Sequence, residues 1–243
     1  MRPFLLLATR SEDAAADAEY ASILELGGLT EEQLHRFRLE SQPLPELDLD
    51  AYSGIIVGGS PFTSSIPEEH KSDTQRRVEA ELDGLLDRLW DRDYPFFGAC
   101  YGVGTLGRYV GGVIDGTYAE PISAPEIAVT EAGRADPLLE GVPDTFQAYV
   151  GHKEACTHLP DDAVILASSA RCPVQMFRVG QNMYGTQFHP ELTLEPLLER
   201  MRIYQHAGYF QPEEFEGIRR EVSAADVSSA GLVLANFVRR YAR

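Results

Sequence analysis

Cys100, His189 and Glu191 have the residue types and local settings that nucleophilic acyl-transfer chemistry requires. Cys100 lies in the run YPFFGACYG at residues 94–102, where a short apolar segment leads into a cysteine between small residues. This pattern is typical of a nucleophile elbow, because flanking glycines permit a sharp strand-to-helix turn that lifts one side chain clear of the sheet. A thiol placed there also lies at a helix N-terminus, whose partial positive charge favours the reactive thiolate.

His189 and Glu191 can supply the base for that thiol. The segment MYGTQFHPE at residues 183–191 predicts a strand that ends in a histidine, with a glutamate two residues later. Imidazole titrates in the range needed to take a proton from a thiol and return it to a leaving amine. We therefore predict Cys100 as the nucleophile, His189 as the general acid and base, and Glu191 as the group that orients the imidazole.

The elements that must position these residues alternate between strands and helices. Residues 4–8 and 54–57 are apolar runs, as expected for buried parallel strands. Apolar residues at three- and four-residue steps predict an amphipathic helix within 68–92, and shorter, partly antiparallel strands follow the elbow. Helices are expected at 194–204 and from residue 224 onward. The alternation predicts a three-layer α/β/α domain around a mainly parallel sheet.

Composition excludes several other classes of protein. The formal net charge of −17 disfavours a nucleic-acid partner, and no apolar run approaches the ~20 residues of a membrane helix. We expect a cytoplasmic protein without a membrane segment. Cys100, Cys156 and Cys172 are odd in number and lack C-x-x-C spacing, so we expect free thiols and no metal site. The charged stretches at 12–19 and 213–221 are expected to be solvated surface.

Four motifs together resemble the class I, triad-type glutamine amidotransferases, most closely the glutaminase domain of GMP synthetase and its stand-alone relatives. They are GGSP (58–61), GACYG (98–102), ASSARCP (167–173) and YGTQFHPE (184–191). The resemblance implies one flavodoxin-like α/β/α domain over residues 1–243, with residues from about 193 to 243 forming a helical extension packed on it. It implies no cofactor.

The resemblance also assigns roles to residues. Cys100 would attack the side-chain amide of glutamine, ammonia would leave, and water would hydrolyse the γ-glutamyl thioester with the help of His189 and Glu191. The backbone N–H groups of Gly59 and Tyr101 would form the oxyanion hole. The chain contains no G-x-x-x-x-G-K-[ST] motif, so we expect any ammonia acceptor to be a separate synthetase subunit.

The substrate contacts follow the family pattern less closely. The resemblance places Gly58, Gly104, His152 and Glu154 beside the bound small molecule. Gly104 stands where many relatives carry a glutamine that helps to hold the substrate, and Lys153 replaces a small residue. These departures leave three hypotheses: a glutaminase, a peptidase or hydrolase acting on another γ-glutamyl amide, and a non-catalytic binding or regulatory protein of the same fold.

Overall fold

The strands are short, and the first is apolar throughout because both of its faces are buried. The computed structural model describes residues 1–243. The strands are β1 (Phe4–Ala8), β2 (Leu34–Arg38), β3 (Ile55–Val57), β4 (Phe96–Ala99), β5 (Val113–Asp115), β6 (Glu120–Ser123), β7 (Glu126–Val129), β8 (Thr145–Gln147), β9 (Val150–His152), β10 (Ala155–His158), β11 (Val164–Ser169), β12 (Met176–Val179) and β13 (Met183–Thr186).

Seven α-helices connect or flank these strands. They are α1 (Asp13–Gly27), α2 (Asp73–Trp90), α3 (Tyr101–Tyr109), α4 (Glu131–Arg134), α5 (Leu194–Ile203), α6 (Phe215–Val222) and α7 (Gly231–Tyr241). Short 3₁₀ turns occupy Leu49–Ala51, Glu68–His70, Pro137–Leu139 and Pro212–Glu214. None of the helices is both long and apolar enough to cross a lipid bilayer.

Nine strands form the central sheet, in the order β2-β1-β3-β4-β13-β12-β11-β7-β8. The five strands from β2 to β13 pair in parallel, with Phe97 of β4 opposite both Ile56 of β3 and Tyr184 of β13. The four strands from β12 to β8 add to this half by antiparallel pairing. The predicted α/β fold class is confirmed, and the parallel half carries the candidate site.

Two apolar cores cover the two faces of the sheet and make the three layers. On one face Phe237 of α7 packs against Phe4 and Phe97, with ring centroids 5.8 and 5.3 Å apart. On the other face the apolar stripe of α2, including Leu82 and Leu86, packs with the side chains of β3 and β4 that point the opposite way. Successive residues of one strand thus serve different cores.

The final helix differs from the prediction. We expected it to begin near residue 224, but Ser223 closes α6 and its Oγ donates to the Arg219 carbonyl. The chain then turns, and α7 begins only at Gly231. The repeating apolar positions before Gly231 mimic a helix, although Val227 instead packs in a small third core beside α5 and α6.

Candidate active site

Cys100 occupies a strained elbow between β4 and α3. Its backbone has φ +53° and ψ −92°, which non-glycine residues adopt at a cost of ~1–3 kcal/mol and which is frequent at functional sites. The turn is tight: a Cβ on Gly98 would lie 2.6 Å from the carbonyl carbon of Gly102. The Cys100 N–H donates to the Thr186 carbonyl at 2.7 Å, which ties the elbow to β13. The partly exposed thiol is therefore held at the carboxyl edge of the sheet.

His189 and Glu191 follow the end of β13, which lies beside β4 in parallel. The buried Nδ1 of His189 lies 2.7 Å from Oε1 of Glu191, and the His189 N–H donates to the Tyr149 carbonyl at 2.9 Å. A carboxylate can only accept, so Nδ1 carries the proton that joins the pair. Nε2 is then the ring nitrogen available to the thiol.

The electrostatics favour a charged imidazole. Burial alone would lower the pKa of His189, but the attraction of Glu191 and of Cys100 outweighs it and raises that pKa to about 9. Burial would raise the pKa of Glu191, and the neighbouring His189 overcomes this effect and lowers it to about 2. An imidazolium between a carboxylate and a sulfur is the arrangement that stabilises a thiolate.

A second layer of buried charges surrounds this pair. Arg10 donates from Nε to Oε1 of Glu19 at 3.0 Å, and Arg200 lies 3.8 Å from the same oxygen and 3.5 Å from Oε1 of Glu191. Burial and the like charge of Arg10 lower the pKa of Arg200. The expectation of a solvated surface over residues 12–19 is wrong for Glu19, whose side chain is fully buried.

The predicted oxyanion donors lie on two different elements. Tyr101 opens α3, where the first N–H groups have no acceptor within the helix. Gly59 follows β3, and a Cβ there would lie 2.9 Å from the His189 ring, so the glycine is close to the site. Its N–H, however, donates to Oε1 of buried Glu19 at 3.2 Å. In this state Glu19 holds one of the two predicted donors.

Two clefts meet at Cys100, and Tyr209 lines both of them. We call the first the apolar arm; His189 and Arg200 line it. We call the second the polar arm. Residues lining only the polar arm include Tyr101, Gly104, His152, Lys153, Glu154 and Gln187. Only the apolar arm includes the imidazole that would protonate a leaving group.

Comparison with known proteins identifies the family. The profile described as "Glutamine amidotransferase class-I" matches residues 22–202. This chain belongs to the glutamine amidotransferase class-I family. That membership supports amidohydrolase activity on the amide of glutamine as the general chemistry of the site. The family recognition made from the sequence motifs is confirmed.

Among individual proteins, a curated sequence relative and two solved structures that share the fold are similar to this chain. The glutamine-hydrolysing GMP synthase of Pseudomonas fluorescens is 29% identical over 170 residues, which are 66% of this chain and 29% of that protein. The chain thus matches under a third of the length of this curated relative. A glutamine amidotransferase structure from Thermotoga maritima has a TM-score of 0.73 at 17% identity, with 100% of both chains covered. A putative GMP synthase subunit from Thermoplasma acidophilum has a TM-score of 0.60 at 19% identity, with 99% of this chain and 97% of that one covered.

The side chains of His152 and Glu154, which the sequence predicts as substrate contacts, are held by hydrogen bonds to neighbouring parts of the chain. The Glu154 carboxylate accepts three hydrogen bonds, from the N–H and hydroxyl of Ser64 and from the N–H of Ser65, at 2.7–2.8 Å. The two ring nitrogens of His152 face the Glu154 carbonyl and Oε2 of Glu120 at 2.9 and 3.0 Å. Both predicted contact residues line the polar arm, but their polar atoms already have protein partners.

The two predicted glycine contacts differ in their surroundings. A Cβ on Gly58 would lie 2.5 Å from Oε2 of Glu19, so this glycine leaves space for the buried carboxylate. A Cβ on Gly104 would meet the Ser64 hydroxyl at 3.4 Å and the Glu154 carboxylate at 3.6 Å, in the polar arm. A side chain of glutamine size would therefore have to share the space that Ser64 and Glu154 now occupy.

One buried group of metal-ligand types lies outside this site. Ligand atoms of Glu120, His152 and Cys172 lie within 4.8 Å of one another. Gln175 also donates to Oε2 of Glu120 at 2.8 Å, and the Cys172 thiol donates to the Val174 carbonyl at 3.5 Å. Burial raises the pKa of Cys172 to about 12, and all three side chains already have hydrogen-bond partners in the protein. We assign no metal to this group.

Sequence reasoning missed Arg10, Glu19 and Arg200. Glu19 had a detectable signal, because it lies within the buried stripe of α1, three and four residues from small or apolar neighbours: Ala15, Ala16, Ser22 and Ile23. A single acid on such a stripe indicates a buried partner. Arg10 lies two residues after the end of β1, at the same sheet edge as Cys100, which is a second usable signal.

Proposed function

We propose that this chain hydrolyses the side-chain amide of glutamine through a γ-glutamyl thioester on Cys100. The observation that carries the proposal is the convergence of a strained cysteine elbow and a buried histidine–carboxylate pair at the ends of two adjacent parallel strands. The family match supports the general reaction, and the geometry supplies the roles of the residues.

In the acylation step, Sγ of Cys100 forms a bond to the amide carbon while His189 holds the thiol proton. The carbonyl oxygen becomes an oxyanion that accepts hydrogen bonds from backbone N–H groups. When the tetrahedral intermediate collapses, the C–N bond breaks, and Nε2 of His189 donates its proton to the departing nitrogen. Ammonia leaves through the apolar arm, and Glu191 keeps the imidazole oriented throughout.

In the deacylation step, His189 takes a proton from water as the water oxygen bonds to the thioester carbon. The C–S bond then breaks and glutamate leaves. Tyr101 supplies an oxyanion donor in both steps, and Gly59 supplies the second once its N–H leaves Glu19. Loss of one such donor typically costs ~10²–10³ in rate. This engagement of Gly59 predicts low basal turnover.

The polar arm suits the γ-glutamyl group. Gln187 lines this arm, and its buried Oε1 has no hydrogen-bond partner in the protein. An ammonium group of the substrate can satisfy that acceptor, which otherwise carries a desolvation cost of ~1–3 kcal/mol. Gln187 can thereby replace part of the contact that Gly104 does not provide.

We further propose that the ammonia acceptor, where one exists, is a separate synthetase subunit. The curated relatives are glutamine-hydrolysing GMP synthases, of whose length this chain matches 29%. One solved relative is described as a putative GMP synthase subunit, so the two parts of such an enzyme can be separate chains. Release of Glu19 by a docked synthetase would couple glutamine hydrolysis to the presence of the acceptor.

The direct test is an ammonia-release assay on L-glutamine with the wild-type chain and Cys100→Ala. The proposal predicts release by the wild type and none by the variant. A glutamine-like chloroketone should also label Cys100 stoichiometrically. Equal release by both proteins would overturn the thioester route, and a chain that neither releases ammonia nor accepts the label would favour a non-catalytic binding protein.

A second candidate is favoured by the apolar arm and by Gly104. A γ-glutamyl amide other than glutamine would form the same thioester and release a larger amine. The triad would be unchanged, because only the leaving group differs.

A further inference from the structure

The apolar arm has more room than an ammonia leaving group needs. Its free space for the centre of a water-sized sphere is about 50 Å³, several times the ~10–15 Å³ that one such molecule requires. Eight of its thirteen lining residues are hydrophobic. The apolar wall includes Ile122, Val150, Leu192, Leu197, Met201 and Tyr209.

The position of the arm fixes what it can bind. It includes His189, which must protonate the departing nitrogen, whereas the polar arm contains Tyr101 but not His189. The acyl group therefore belongs in the polar arm, and the amine belongs in the apolar arm.

Two guanidinium groups also line the apolar arm. Arg10 uses Nε for Glu19 and lies over the Tyr204 ring, with 5.6 Å between its Cζ and the ring centroid. Arg200 reaches the arm from α5 beside Glu191. Guanidinium groups that line an apolar cleft can bind a carboxylate through paired N–H donors.

We propose that the apolar arm binds the leaving amine of a γ-glutamyl dipeptide whose second residue is an apolar amino acid. The apolar side chain lies on the wall of α5 and Ile122, and the α-carboxylate faces Arg10 and Arg200. The inference rests on the proposed Cys100 chemistry. The C–N bond of the γ-glutamyl amide breaks, Nε2 of His189 donates its proton to the amino nitrogen, and water then releases glutamate from the thioester.

Three substrates test the inference on the wild-type chain: L-glutamine, γ-glutamyl-leucine and γ-glutamyl-3-methylbutylamide. The third lacks only the carboxylate of the second. We expect kcat/KM for γ-glutamyl-leucine to exceed that for glutamine by at least ~10-fold, since one buried methylene alone is worth ~10-fold or more. The kcat/KM for γ-glutamyl-3-methylbutylamide, which lacks the carboxylate, should be ~10-fold lower than that for γ-glutamyl-leucine. Equal or better use of glutamine would overturn the inference.

A matched pair of variants tests the wall. Ile122 is partly buried and lines the arm, whereas Ile165 is exposed on β11 and lines neither cleft. Ile122→Trp should lower kcat/KM for γ-glutamyl-leucine at least ~10-fold more than for glutamine, because it fills the arm. Ile165→Trp should change neither value. An equal loss on both substrates in a folded Ile122→Trp would contradict the placement of the amine.

The two proposals fail in different ways. Glutamine hydrolysis that needs Cys100, without hydrolysis of γ-glutamyl-leucine, would overturn the dipeptide inference and keep the thioester chemistry. If no substrate is hydrolysed in a reaction that needs Cys100, both proposals are overturned. The comparison of γ-glutamyl-leucine with its decarboxylated analogue needs no variant, so it remains decisive even if Ile122→Trp does not fold.

Discussion

The molecule contains two sets of one cysteine, one histidine and one glutamate, each with a buried histidine–carboxylate pair. They are the cleft set, Cys100, His189 and Glu191, and the core set, Cys172, His152 and Glu120. The histidine–carboxylate distances are 2.7 Å in the cleft set and 3.0 Å in the core set. Residue type and pairing distance therefore do not distinguish them.

The surroundings separate the two sets. In the core set both ring nitrogens of His152 have protein partners, and the Cys172 thiol is buried and bonded to a carbonyl. In the cleft set the Glu191 carboxylate contacts Nδ1 of His189 and leaves Nε2 to other partners. Cys100 lies at the junction of two clefts. We therefore propose that the cleft set, whose thiol lies where the two clefts meet, is the reaction centre and that the core set is structural.

The largest expected difference comes from the two cysteines. Cys100→Ala should reduce amide hydrolysis by at least ~10³-fold, because no other group supplies the nucleophile. Cys172→Ala should leave kcat within about twofold and lower the free energy of unfolding by ~1–2 kcal/mol through lost packing. Amine-release kinetics and urea titrations measure the two effects. A comparable loss of turnover in both variants would erase the distinction between the sets.

The two glutamates should differ nearly as much. Glu191→Gln should lower kcat by ~10²–10⁴, because an amide can favour the wrong tautomer of His189 and cannot stabilise the imidazolium. Glu120→Gln should change stability and leave kcat within a few-fold. The prediction is checked by measuring both kcat and the midpoint of urea unfolding for each variant. Normal turnover by Glu191→Gln would show that this carboxylate does not act on the imidazole.

The pH dependence of stability sharpens the comparison further. His189 has a folded pKa of about 9 against an ordinary 6.5, so its contribution is complete below pH 6.5 and is lost as the pH rises through about 9. Glu191 has a folded pKa of about 2 against 4.5, so its contribution is present above pH 4.5 and is lost as the pH falls towards 2.

The wild type should therefore exceed Glu191→Gln in unfolding free energy most clearly between about pH 5 and 6.5, by a margin on the order of 3 kcal/mol. The margin should shrink as the pH approaches 9. Urea unfolding across this range measures it. A margin that grows above pH 7 would contradict the assigned charge states.

The smallest effect concerns Glu19. Glu19→Gln replaces a carboxylate with a weaker acceptor, so the Gly59 N–H is released more readily, and basal turnover should rise by ~3–10-fold. Glu25→Gln, an exposed change on the same helix, is the control and should have no effect. Unchanged or reduced turnover in a folded Glu19→Gln would show that this contact does not limit the reaction.

Much of the site could be predicted from local sequence, because its parts are local. The elbow at Cys100 needs a strand, small residues and a helix start in one run, and His189 and Glu191 are two residues apart. The contact between Glu19 and Gly59 joins residues forty positions apart, and nothing near either residue specifies it. The start of α7 was misplaced because Val227 repeats at helical spacing while packing in another core.

The most direct test of the account is the mass of the chain after acid quenching during turnover of a γ-glutamyl substrate. The account predicts an added γ-glutamyl group on the peptide that contains Cys100, absent from Cys100→Ala and never present on the peptide that contains Cys172. The account would be contradicted by hydrolysis that persists in Cys100→Ala and leaves no adduct, or by an adduct on Cys172.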